Sequence, residues 1–165
     1  MRQKMSNKAA GTRFENAFAE ELAAHWFWVH LFQDNKNGQP CDVIACRNGN
    51  AYLIDCKDCQ TKFFVLSRME ENQLNAMKLF QMTGNGIGLF AIRFQDGAIY
   101  LVSYDRLEEL KAAGFGRIDA TVCRTQGMSL LEWLAERNKE DGWGENNADC
   151  DWQRDKSEKC TKGFA

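Results

Sequence analysis

The sequence feature that most constrains the fold is an Asn-Gly dipeptide, Asn48-Gly49, between two apolar segments. The segments cover 42–46 and 51–57. Asn-Gly favours the type I′ turn of two-residue hairpin loops, because both residues tolerate a positive φ. The pattern therefore predicts an antiparallel β-hairpin whose register is set by its turn.

Hydrophobic periodicity and turn residues predict the elements around this hairpin. Phe14, Phe18 and Leu22 would share one face of the first helix. The pattern predicts helices over 12–25, 70–82, 104–113 and 129–138, a strand over 27–32, and a second hairpin from 88–94 and 98–103 turning at Asp96-Gly97. This order predicts an α/β fold in which helices flank a mixed β-sheet.

Composition bounds the class of protein. A chain of 165 residues that is 44% hydrophobic and 27% charged is expected to bury a core in one domain. We predict a basic N-terminal arm over 1–10, a domain over 11–138 and a charged, flexible tail over 139–165. Without a long apolar segment or an apolar leader, we expect a cytoplasmic protein with no membrane partner. The odd number of cysteines, 7, favours reduced thiols.

Polar residues end the strands of the first predicted hairpin. Asp42 begins one strand, and Asp55 and Lys57 end the other. Because side chains alternate along a strand, Asp55 and Lys57 share one face while Cys56 points to the other. Two carboxylates are hard oxygen ligands suited to Mg²⁺, and a neighbouring lysine can stabilise negative charge at a reacting phosphate.

The acid-x-Lys pattern alone is weak evidence, since it occurs three times in the chain. The matches at 34–36 and 109–111 fall in a predicted turn and a predicted helix, whereas 55–57 ends an apolar strand. Polar residues at a strand end also serve edge solubility. Catalysis and edge solubility therefore both remain open at this point.

A longer constellation resembles the PD-(D/E)xK nuclease superfamily, and within it the RecU-type Holliday junction resolvases. The resemblance spans roughly 11–107. It is carried, in order, by Gly11-Thr12-Arg13-Phe14-Glu15, Asp42, Asp55-Cys56-Lys57, Phe63-Phe64-Val65-Leu66 and Asn72-Gln73. Asp55 stands where the family commonly has glutamate, and the short segment between Phe32 and Asp42 indicates a shortened junction-engaging stalk.

The resemblance implies a restriction-endonuclease-like core and a role for each matching residue. Asp42, Asp55 and the backbone carbonyl of Cys56 would hold Mg²⁺, with Mn²⁺ as a substitute. Lys57 would be the catalytic lysine, and Glu15 and Gln73 would complete the catalytic site. The implied reaction is in-line attack of water on phosphorus, which nicks DNA and leaves a 5′-phosphate.

The implied partners are branched or four-way-junction DNA and a second copy of the chain, since resolution needs two symmetric cuts. Arg2, Lys4, Lys8 and Arg13 would contact DNA phosphates from the N-terminal arm, although a charged terminus is also commonly just solvated. Two alternatives stay open. The chain could be another PD-(D/E)xK nuclease of restriction, repair or phage DNA processing, or a non-catalytic DNA-binding scaffold of the same fold.

Four cysteines invite a structural zinc site, because Cys56 and Cys59 have a common ligand spacing. Cys41 and Cys46, however, have opposite alternation phases on their strand, and Cys56 faces away from the predicted metal site. Buried thiols are the simpler interpretation.

Overall fold

The computed structural model describes residues 7–32 and 39–140, apart from the side chains of 7, 8 and 140. The described helices are α1 (Asn7–Ala24), α2 (Glu71–Met82), α3 (Tyr104–Ala112), α4 (Ala120–Gln126) and α5 (Leu130–Glu140). The strands are β1 (Trp28–Leu31), β2 (Val43–Arg47), β3 (Asn50–Asp58), β4 (Phe63–Val65), β5 (Leu89–Arg93), β6 (Ile99–Ser103), β7 (Arg117–Asp119) and β8 (Met128–Ser129). A 3₁₀ turn, Leu66–Arg68, follows β4.

The chain divides into two compact units, 1–133 and 134–165. All of the sheets and helices α1 to α4 belong to the first unit. The described part of the second unit, 134–140, is the end of α5.

The first unit contains a six-stranded sheet in the order β1-β2-β3-β5-β6-β8. Its β3–β5 pair is parallel and its other pairs are antiparallel. Since parallel neighbours need a crossover connection, α2 lies in the chain between β3 and β5. The predicted mixed sheet with flanking helices is confirmed.

The first hairpin forms with the predicted turn. Asn48 has φ of 48° and Gly49 has φ of 77°, and Arg47 pairs with Asn50 across the two-residue loop. Both loop residues therefore lie in the left-handed region that a type I′ turn requires. This turn fixes the register that brings the start of β2 beside the end of β3.

The first helix is longer than predicted. It begins at Asn7 rather than at residue 12, so 7–10 are helical. Ala9 and Ala10 favour helix, and one glycine, Gly11, is not enough to end it there. The predicted apolar face is confirmed, because Phe14, Phe18 and Leu22 are each at most 1% exposed.

Four short elements were not predicted: β4, β7, α4 and β8. Strands β4 and β7 pair with each other in a separate two-stranded sheet. Phe64 of β4 and Ile118 of β7 are buried in the main apolar core, which also contains Met77 of α2 and Phe90 of β5. This core packs the small sheet and α2 together with β3, which contributes Leu53. None of the described helices is long and apolar enough to cross a membrane.

Candidate active site

The predicted acid and lysine residues come together where β3 ends. Asp42 directly precedes β2, and Asp55 and Lys57 lie in the last four residues of β3. All three side chains are buried, with residue exposures of 7%, 0% and 8%. Charged groups are seldom buried unless they are paired or bind a ligand.

Asp42 is held in place from both sides of its carboxylate. Oδ2 accepts a hydrogen bond of 2.7 Å from the backbone N–H of Cys56, and Oδ1 accepts one of 2.8 Å from the side-chain amide of Gln39. The bond to Cys56 ties the start of β2 to the end of β3. Asp42 therefore has one orientation, towards the neighbouring strand.

Lys57 is positioned by two partners. Its ammonium nitrogen Nζ lies 2.7 Å from Asp55 Oδ2 and donates a 3.1 Å hydrogen bond to Gln73 Oε1. Gln73 is itself fixed at the start of α2 by a capping box, in which the Glu70 carboxylate accepts from the Gln73 backbone N–H and Gln73 Oε1 accepts from the Glu70 N–H. The structure therefore places Gln73 against the acid–lysine pair.

Asp55 is the most deeply buried group of this cluster. Its side chain is fully buried, and neither carboxylate oxygen has a hydrogen-bond partner of acceptable geometry, although the Lys57 ammonium lies beside Oδ2. Burial raises the pKa of Asp55 to about 7; Lys57 lowers it, and the neighbouring Asp42 carboxylate raises it. The fold thus holds two carboxylates together at a desolvation cost.

This donor set fits a divalent cation. A buried carboxylate that lacks hydrogen-bond donors, next to a second carboxylate, is stabilised when a cation binds between them. The carbonyl of Cys56 points in the same lateral direction as its N–H, towards Asp42, because both groups of a strand residue point to one side. Within the described residues, no group of three or more His, Cys, Asp or Glu side chains is arranged to hold a metal. The candidate site consists of two carboxylates and a backbone carbonyl.

The cluster opens into a cleft of about 660 Å³. Asp42, Cys56, Lys57 and Gln73 are among its lining residues, and α1 contributes Glu15 to the lining. Glu15 is close enough to β3 to help raise the pKa of the Cys56 thiol, after the larger effects of burial, Asp42 and Asp55. The structure thus brings Glu15 to the same cleft as the other predicted catalytic residues.

The predicted DNA-contacting residues are only partly described. Arg2 and Lys4 lie outside the described residues, as does the side chain of Lys8. Arg13 is exposed on α1, and it lines a second surface depression with residues that include Thr12 and Asn16, but it does not line the main cleft. A role of Arg13 in DNA binding stays a prediction.

The cysteines considered for zinc have the character of buried thiols. Cys41, Cys56 and Cys59 are buried free thiols, and Cys46 is half-buried. Burial raises the pKa of Cys41 to about 12, which favours the protonated thiol over the thiolate that binds metal.

Two residues near the site were missed in the sequence. Gln39 orients Asp42, and its amide is only three positions upstream, in a segment that lacks any periodic pattern. Arg68 lines the cleft from the 3₁₀ turn after β4. Neither stands out from the sequence, because each acts through a contact that only the folded chain creates.

Similarity to known proteins assigns the chain to a family. The family model for Recombination protein U (RecU) matches residues 33–131, which is more than half of the chain, and this chain belongs to that family. No curated protein sequence gives a significant match.

Among solved structures, the chain is similar to Hjc, a Holliday junction resolvase from the archaeal hyperthermophile Archaeoglobus fulgidus. The two share a TM-score of 0.58 and 19% sequence identity, over 76% of this chain and 96% of that one. This similarity confirms the restriction-endonuclease-like fold. The resemblance to RecU-type proteins drawn from the sequence is likewise confirmed.

Proposed function

We propose that this protein is a Mg²⁺-dependent endonuclease that nicks branched DNA and acts as a Holliday junction resolvase in recombination or repair. One observation carries the proposal: in a chain of the RecU family, Asp42, Asp55, Lys57 and Gln73 meet at the end of β3, beside an open cleft. The structural neighbour is a protein named as a Holliday junction resolvase, which supports the same substrate class.

In this proposal Asp42, Asp55 and the Cys56 carbonyl hold the cation, with Mn²⁺ able to replace Mg²⁺. When bound, the cation supplies Lewis-acid stabilisation of the negative charge at the phosphodiester. Without a cation the two carboxylates repel the phosphate at the reaction point, so correct placement of that one phosphate depends on the metal.

In this proposal the side chains of the protein orient the attacking water and stabilise the developing charge. Lys57 places a positive charge beside Asp55, where it orients the attacking water and stabilises charge that develops on phosphate oxygens. Gln73 holds the Lys57 ammonium by accepting its hydrogen bond, so the lysine is positioned before substrate arrives. Glu15 completes the polar lining from α1. The product is a nick with a 5′-phosphate, and paired nicks on one junction require two copies of the chain.

The test is cleavage of a labelled four-way junction and a matched linear duplex, with Mg²⁺ or EDTA. Lys57→Ala is the test variant. Lys78→Ala is the matched control, because it also removes a lysine from a 2.8 Å ion pair, but at a position on α2 that does not line the cleft. We expect symmetric nicks on the junction with wild type and Lys78→Ala, in Mg²⁺ only, and none with Lys57→Ala.

Other outcomes separate the alternatives. Cleavage of both substrates at similar rates would replace the resolvase with a general nuclease of the same superfamily. Tight junction binding without cleavage in Mg²⁺ would indicate the non-catalytic scaffold and overturn the catalytic proposal.

A further inference from the structure

We propose that Lys62, Arg68 and Arg117 form a phosphate-binding rim beside the cleft, which holds the sugar-phosphate backbone of the DNA that enters it. This inference rests on the proposed function, which identifies the ligand as DNA. It adds a binding surface that is separate from the N-terminal arm.

The small sheet of β4 and β7 is the scaffold of this rim. Phe63 lines the cleft, while its neighbour Phe64 is fully buried in the core, as strand alternation requires. The Arg117 guanidinium lies 4.4 Å from the centre of the Phe63 ring, and the Lys62 ammonium lies 5.4 Å from it. An aromatic ring within about 6 Å of a cation attracts it electrostatically. Phe63 therefore gathers two cations at the edge of the cleft.

Arg68 adds a third cation, which lines the cleft itself. Its Nη1 donates to the backbone carbonyl of Asp58 at 3.1 Å and lies 3.5 Å from the sulfur of Cys59. Both contacts use one nitrogen of the guanidinium. The fork of remaining N–H groups is suited to a phosphate, and it is already oriented by the backbone at the end of β3.

The three rim cations lack carboxylate partners among the described residues. Several basic side chains elsewhere in the described part of the chain are ion-paired; they include Lys57, Lys78, Arg93 and Arg106. Lys62 and Arg117 share the Phe63 ring, so they repel each other, and an anionic ligand at this edge of the cleft relieves that repulsion. The chain's net charge of -2 makes such a local concentration of positive charge the more distinctive.

The cleft also needs positive charge for electrostatic reasons. Asp42, Asp55 and Glu15 place negative charge near the point where a phosphodiester would react, and DNA carries a high density of negative charge. A rim of cations beside those acids attracts the flanking phosphates without competing for the metal position. Lys62, Arg68 and Arg117 are therefore expected to set affinity and alignment, while chemistry stays with Lys57.

The test is binding of a fluorescent four-way junction to the full chain in EDTA, measured by anisotropy across a range of salt concentrations. The test variant is Lys62→Gln/Arg117→Gln. The control is Arg106→Gln/Lys111→Gln, which removes the same charge from exposed positions on α3. We expect the rim variant to bind at least 10-fold more weakly at fixed salt. The logarithm of the association constant falls linearly with the logarithm of the salt concentration. The magnitude of this slope should decrease by about 0.9 for each phosphate that the variant no longer neutralises.

The control should keep the wild-type slope. Lys62→Gln alone removes one exposed side chain without touching the core, so it tests the rim even if the double variant folds poorly. The magnitude of its salt slope should decrease by about 0.9. Affinity and slope equal to those of the control variant would overturn the rim and leave the proposed cleavage intact. A wild type that binds through the rim but never cleaves would overturn the proposed function and leave the rim standing.

Discussion

Two acid–base pairs have their acids, Asp55 and Asp58, three residues apart on β3, and the two pairs are built differently. Asp58 and Arg93 form a two-pronged ion pair, with hydrogen bonds of 2.9 Å and 2.8 Å to the two carboxylate oxygens, and the guanidinium packs 4.3 Å from the centre of the Phe14 ring. Asp55 and Lys57 make a single 2.7 Å contact, and the Asp55 oxygens lack hydrogen bonds of acceptable geometry.

The difference separates a pair that satisfies its own charges from one that does not, and the second is the pair that we propose to be functional. The Asp58–Arg93 pair satisfies its own charges and fastens β3 and β5 to α1, so a ligand would gain little there. The Asp55 carboxylate is deeper, less satisfied and next to another acid, which are the features expected of the proposed metal site. Breaking the Asp55–Lys57 pair should therefore reduce cleavage and metal binding, whereas breaking the Asp58–Arg93 pair should reduce the stability of the fold.

The largest expected effect is on catalysis, from Asp55→Asn. We expect single-turnover cleavage of a four-way junction in Mg²⁺ to fall about 10³-fold, because the amide keeps the shape but loses the charge that we propose to hold the cation. Thermal unfolding in EDTA should show a folded protein. The comparison variant Asp58→Asn should lose far less activity; an equal loss would show that the two pairs are not functionally distinct.

The convergence of Asp42, Asp55 and Lys57 could be predicted because it follows from local rules. The Asn48-Gly49 turn fixes the hairpin register, and alternation places Asp55 and Lys57 on one face. Gln73 was accessible only through the family resemblance, since its contact with Lys57 joins a helix and a strand.

The rim could not be predicted in the same way. Strands β4 and β7 have three residues each, which is too short to show an alternation of apolar and polar residues. They also lie far apart in the sequence, so no local turn predicts their pairing. Arg117 meets Phe63 only after that non-local pairing forms. The capping box at Glu70 was likewise hidden, because a glutamate N-cap lacks the usual Ser, Thr, Asp or Asn signature.

The second effect is on stability when metal binds. At 100 times its dissociation constant, Mg²⁺ should stabilise the wild type by about 2.7 kcal/mol and raise Tm on the order of 5 to 10 °C. Asp55→Asn should lose most of this shift, as followed by differential scanning calorimetry. Arg93→Ala should keep it, because its site carboxylates are intact; loss of the shift in Arg93→Ala would mean that the structural pair also builds the metal site.

The third effect is the stability cost of breaking the structural pair. Arg93→Ala leaves the largely buried Asp58 carboxylate without its cation, and we expect a loss of about 2 kcal/mol, since Arg93 is only partly exposed. Urea unfolding measures this loss. Arg106→Ala, which removes an exposed ion pair, should cost far less than Arg93→Ala. Similar losses for the two variants would show that the Asp58–Arg93 pair contributes no more than a surface pair.

The last effect is the pH dependence of the stability difference between Asp55→Asn and wild type. In the folded protein the pKa of Asp55 is about 7, above its ordinary value of 3.8, so the folded state binds more protons than the unfolded state between these values. The stability of the wild type therefore falls, relative to Asp55→Asn, as pH rises from about 4 to 7, and the difference then levels off. One titrating group limits the slope to about 1.4 kcal/mol per pH unit.

This difference is measured as Tm of Asp55→Asn minus Tm of wild type, in EDTA, from about pH 4.5 to 8, which spans the range in which Asp55 changes charge. A difference that grows with pH and then levels off would show that the charge of Asp55 opposes folding when no cation is bound. Repeating the series in saturating Mg²⁺ should flatten or reverse the trend, because the cation binds only the charged carboxylate. A difference that is independent of pH in EDTA would mean that Lys57 already neutralises Asp55, and the contrast with the Asp58–Arg93 pair would then lie in geometry alone.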